Sequence, residues 1–110
     1  MLVELAKLDD ASFRAMFTKS PIKRIGRDRF IRNVLIAIGN SGDATLAANV
    51  RALLDDANPL VRGAAVWALS RLLTCGDFEA LAIDRLQHEM NGDVRSEFSL
   101  VIASEAKQSM

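Results

Sequence analysis

Six basic side chains fall within one short stretch, Lys19, Lys23, Arg24, Arg27, Arg29 and Arg32, with Asp28 the single acid among them. Ammonium and guanidinium groups at this density can neutralise phosphates, giving affinity that reads little sequence and falls with salt. The rest of the chain carries eight basic and thirteen acidic groups, although the formal net charge is zero. Two readings compete. In one, Lys23, Arg24, Arg27, Arg29 and Arg32 form a phosphate-holding strip. In the other, a solvated loop pairs its arginines with the acidic remainder. Phe30 is the one aromatic residue in the stretch, and helical spacing turns it inward. Contact with nucleic acid would therefore be with backbone phosphate rather than with stacked bases.

Other chemistry is poorly served. Cys75 is the only cysteine. It can neither close an intrachain disulfide nor build a zinc or iron–sulfur site, and it reads as a small apolar filler at a turn. His88 is the only histidine and has no Cys–His or His–His spacing for a metal. Glu4, Asp9 and Asp10 make no credible acid–base pair, since helix capping explains the aspartates. Gly39-Asn40-Ser41-Gly42 lacks the lysine of a nucleotide loop.

Three further arginines sit in a recurring context. Ile31-Arg32, Val61-Arg62 and Val94-Arg95 each open a candidate helix, at separations of 30 and 33 residues. A repeat of that length built from two short helices predicts an all-α, HEAT-like helical-repeat solenoid (an α-α superhelix). We expect about two and a half helix pairs, preceded by short N-terminal helices. Arg62 and Arg95 would tie each repeat to a neighbouring carboxylate or helix-end carbonyl, with Asp55, Asp56 and Asp93 as the obvious partners. Arg32 belongs both to this series and to the basic stretch.

The elements that must position these residues follow from period and punctuation. Residues 1–18 read as a helical N-terminal cap, with Leu2, Leu5 and Leu8 at helical spacing and Phe13 and Phe17 one turn apart. Ser20-Pro21 stops that helix, leaving 19–26 as a basic loop. Repeats then occupy 27–103. The first helix runs to about Ile38 and ends at Gly39–Gly42; its partner runs from the Asp43 cap to about Leu54. Asn33 is expected to fix the 39–42 turn or the basic loop through its amide rather than to contact a ligand. Pro59 opens a helix to about Leu73 that is apolar on most sides, which implies contacts on both flanks. Within it Trp67 reads as a core anchor, or else as an interface residue. Gly76-Asp77 turns the chain into a helix carrying Phe78, Leu81, Ala82, Ile83, Leu86 and Met90. The last helix starts at Asp93.

Several stretches resemble the C-terminal region of the epoxyqueuosine reductase family. They are Ser20-Pro21-Ile22-Lys23-Arg24-Ile25-Gly26-Arg27, Phe30-Ile31-Arg32-Asn33, Gly39-Asn40-Ser41-Gly42 and Asn58-Pro59-Leu60-Val61-Arg62-Gly63-Ala64-Ala65-Val66-Trp67-Ala68-Leu69. The resemblance covers about residues 2–98. It implies a HEAT-like module of an enzyme that completes the tRNA base queuosine. It also implies that the family's cobalamin and two 4Fe–4S clusters belong to other domains, with no cofactor or metal held here and no reductase activity in this chain alone. The end, Val101 to Ser109, instead resembles a translated bacterial repetitive element, so 104–110 are expected to fray.

The resulting expectation is a non-catalytic, cytoplasmic module that contributes tRNA backbone binding and scaffolding. The alternative is a protein–protein interaction module, docking on the family's catalytic domains or another protein, with no nucleic-acid role. An uncapped solenoid end also leaves apolar surface through which two copies could pair. No apolar run reaches the roughly 20 residues needed to span a bilayer, so no membrane partner is expected.

Overall fold

The computed structural model describes residues 2–19 and 25–108, with side chains described as far as Leu100. Seven α-helices account for most of it: α1 (Leu2–Ala6), α2 (Asp10–Met16), α3 (Arg27–Ser41), α4 (Ala47–Ala52), α5 (Pro59–Leu72), α6 (Cys75–Leu86) and α7 (Gly92–Gln108). Among the described residues there is no strand. The fold is an all-α helical-repeat solenoid, elongated at 50 × 29 × 19 Å.

The three Ile/Val-Arg helices lie side by side, with α5 between α3 and α7. That placement follows from α5's composition. Val61, Ala65, Val66, Ala68 and Leu69 are all fully buried, so the helix has no wide polar face to turn to water. The α3 side of the core is Ile31, Leu35 and Ile38, and α7 contributes Val94 and Phe98. Phe78 of α6 meets Phe98 with ring centroids 5.9 Å apart. Burying side chains of this size stabilises the stack by about 1.5–3 kcal/mol each. At the N-terminal end Phe13 and Phe17 close over Phe30, at centroid separations of 5.1–5.3 Å.

Five local expectations are corrected. Helix α3 does not stop at Gly39 but continues to Ser41, and Gly42 supplies the left-handed residue that ends it (φ 68°). Gly39 serves packing instead, because the Trp67 ring lies directly over it. Helix α6 begins at Cys75, capped by Thr74, whose hydroxyl accepts from the Asp77 amide; Gly76-Asp77 is its first turn, not a loop. Cys75 is accordingly exposed rather than a buried filler. Met90 and Ile83 are 91% and 66% exposed; Met90 lies beyond the end of α6 at Leu86, and Ile83 stands on its solvent side. The Asp43–Leu54 helix is a short α4 flanked by tighter 3₁₀ turns, Ala44–Leu46 and Leu53–Asp55.

Candidate nucleic-acid interface

The arginines divide into two groups, one consumed by the fold and one facing water. The consumed group forms a ladder at the helix starts. Asn58 caps α5, its Oδ1 accepting from the Leu60 amide at 2.8 Å, and its own N–H donates to Asp56 Oδ2 at 3.0 Å. One repeat later, Asn91 Oδ1 accepts from the Asp93 amide at 2.9 Å and the Asn91 N–H donates to Glu89 Oε2 at 3.0 Å. Each acid then receives an arginine from the layer before it. Arg27 grips Asp56, with Nη2 to Oδ1 at 2.9 Å and Nη1 to Oδ2 at 3.1 Å. Arg62 grips Glu89, with Nε to Oε1 at 2.8 Å and Nη2 to Oε2 at 3.2 Å. Such two-point pairing uses the planar guanidinium fork, which lysine lacks.

Carbonyls complete the ladder. Arg62 Nη1 donates to Asp56 O at 2.8 Å and to Ala57 O at 3.1 Å. Arg95 Nη1 does the same to Glu89 O at 3.0 Å, and also reaches Leu86 O at the end of α6. Arg27 Nε donates to Leu8 O at 2.8 Å, which fastens the N-terminal helices to the first repeat.

Burial weighs against charge at these sites, and the contacts overcome it. Desolvation would raise the Asp56 pKa, but hydrogen bonds from Arg27 and the Asn58 amide outweigh it and hold the value below the ordinary aspartate range. Glu89 is lowered in the same way, its desolvation offset by Arg62 and the Asn91 amide. For Arg27 desolvation works against the cation, while hydrogen bonds to Asp56 and Asp28 raise its pKa.

Arg51, Arg71, Arg29 and Arg32 make up the second group, the last two within the basic stretch. Arg29 and Arg32 are exposed, three residues apart on α3, and neither makes an ion pair or a hydrogen bond among the described residues. Arg27 does not join them, contrary to expectation, because its side chain is only 15% exposed and its guanidinium is already committed to Asp56, Asp28 and Leu8. Lys23 and Arg24 lie outside the described residues.

The other singled-out residues are also placed. Arg62 takes Glu89, not the Asp56 carboxylate, as its acid. Asp55 instead pairs with Arg85 at 2.6 Å, and Asp93 has no ion-pair partner among the described residues. Asn33 is exposed and makes no hydrogen bond to the 39–42 turn. That turn is held by Ser41, whose hydroxyl donates to Ile38 O and accepts from the Asp43 amide. Trp67 is half-buried, neither wholly core nor wholly surface. Glu89 and the two capping asparagines were missed from sequence. Their signal was an acid-x-Asn-x-x-x-Arg pattern, at Asp56/Asn58/Arg62 and again at Glu89/Asn91/Arg95.

Residues 26–103 match the family described as HEAT repeats. The epoxyqueuosine reductase of Alicycliphilus denitrificans is 40% identical over 78 residues, covering 64% of this chain and 22% of that protein. The epoxyqueuosine reductase of Xanthomonas campestris pv. campestris is 34% identical over 71 residues, covering 64% of this chain and 20% of that protein. The chain thus spans about a fifth of the length of the curated relatives it matches. A crystal structure of epoxyqueuosine reductase with a tRNA-Tyr epoxyqueuosine-modified tRNA stem loop superimposes with a TM-score of 0.84. It covers 94% of this chain and 28% of that one, at 21% identity. Selenomethionine-labelled epoxyqueuosine reductase gives the same TM-score and coverage. At 21% identity these two likenesses are of fold.

Proposed function

This chain belongs to the HEAT-repeat family, and from that premise we propose that it is a non-catalytic module that binds tRNA through its phosphate backbone. The observation that carries the reading is the division of the arginines. Arg27, Arg62 and Arg85 are ion-paired, while Arg29 and Arg32, like Arg51 and Arg71 elsewhere, are exposed and unpaired among the described residues, and these two stand together on α3. Two cations one turn apart suit adjacent phosphates. Lys23 and Arg24, adjacent in sequence, would extend the strip. The similar structure that contains a tRNA stem loop supports tRNA as the ligand. The non-catalytic part of the reading is supported by cysteine content, since iron–sulfur clusters need several thiolates and this chain has one cysteine. Cytoplasmic residence goes with a tRNA ligand.

Filter binding with bulk tRNA at about 50 and 200 mM salt tests the reading. Two phosphate contacts predict roughly a tenfold loss of affinity across that range, and five predict several hundredfold. Replacing both exposed arginines, Arg29→Ala with Arg32→Ala, should lower the salt slope by about 2. No binding at the lower salt, or an unchanged slope in the double variant, would remove tRNA as the ligand.

A further inference from the structure

A groove of about 510 Å³ runs across the three stacked helices, and the phosphate-binding reading uses only one residue of its rim, Arg32. Its floor is α5, its walls are α3 and α7. Leu60, 43% exposed, lies on the floor with half-buried Ala64 and Trp67. Gly63 faces open space in the groove, since a Cβ there would meet nothing within 4 Å. The rims carry charge that is unpaired among the described residues. Asp93 and Glu97 stand one turn apart on α7, Arg32 stands on α3, and no ion pair joins them to each other or to any described residue.

We propose that this groove docks a protein segment: an amphipathic peptide that seats an apolar side chain on Leu60 and Trp67 and turns a basic side chain toward Asp93 and Glu97. The charges decide the class of occupant. Two carboxylates against one guanidinium make the groove net negative, so a phosphate chain is repelled from it while a lysine or arginine is attracted. The opposite signs on the two rims also fix direction, because an acidic residue of the peptide would face Arg32. The apolar floor supplies the anchor that such helix-in-groove contacts need. The inference stands on different residues from the Arg29 strip, apart from the shared rim residue Arg32.

Trp67 is the only tryptophan and the chain has no tyrosine, so its emission reports on the groove directly. The probes are a short synthetic amphipathic peptide with a leucine stripe flanked by lysines, its copy with glutamates in place of the lysines, and an oligouridylate. The lysine peptide should shift Trp67 emission to the blue with a saturable curve, at least about tenfold tighter than the glutamate copy. Asp93→Asn with Glu97→Gln should erase that difference. Gly63→Leu should fill the groove and abolish the shift while far-UV circular dichroism stays unchanged. Equal affinity for the two peptides, no shift with either, or a shift produced by the oligouridylate alone would overturn the proposal. So would a blue shift on raising the protein concentration without peptide, which would make a second copy of the chain the occupant.

Discussion

Replacing Gly39 with alanine sets two opposing effects against each other at one site. Gly39 is a helical residue near the end of α3, so alanine should stabilise the helix by about 0.5–1 kcal/mol through backbone entropy. Against this, the new Cβ would lie 2.5 Å from Cζ3 of Trp67 and 3.2 Å from Cε3 and Cη2. The indole or the helix has to shift, and overpacking of this kind costs about 1–3 kcal/mol. Packing wins, and the net destabilisation should be near 1 kcal/mol, a fall of about 4–8 °C in Tm for a domain of this size. In a Trp67→Leu background the offending ring atoms are gone, and the same substitution should stabilise by about 0.5–1 kcal/mol. Urea unfolding followed at 222 nm in all four proteins completes the cycle without relying on the tryptophan signal. A Gly39→Ala effect of the same sign and size in both backgrounds would refute the close-approach argument.

Arg62→Met should destabilise by about 2–3 kcal/mol, because it leaves Glu89 half-buried with only the Asn91 and Met90 backbone amides as donors; Arg62→Lys should recover only part, and full recovery in urea melts would contradict the two-point pairing. Acid should unfold the chain in a defined window. Asp56 and Glu89 have lowered pKa values in the fold, so their contribution is complete above the ordinary carboxylate range and is lost as pH falls through the lower folded values. The urea midpoint should hold from about pH 7 to 5 and decline below about pH 4, and Asp56→Asn with Glu89→Gln should flatten the decline. Helix α7 runs to Gln108, yet residues 104–108 should exchange amide hydrogens much faster than residues 60–70. Equal protection in the two segments would show the tail to be part of the packed fold.

Much of the stack could be read from one dimension. The spacing of Ile31, Val61 and Val94 placed one fully buried residue at the start of each layer, and Asn58-Pro59 marked where α5 begins. These are local signals: a side chain's period decides which face it occupies, and a cap acts within a turn of itself. The site was harder. The exposed and consumed arginines look identical in sequence, and the basic stretch gave no way to tell Arg27 from Arg29.

What the amino-acid sequence determined by itself was the repeat, its period, the helical class and the concentration of positive charge before and within α3. What only the tertiary structure decided was the fate of each charge and of each small residue. Arg27 is withdrawn from solvent because Asp56, 29 residues away, is brought against it when α5 docks on α3. Gly39 is a glycine inside a helix because Trp67, 28 residues away, needs the space a Cβ would fill. Both facts belong to pairs of residues distant along the chain, and such pairs acquire energies only once the layers have stacked.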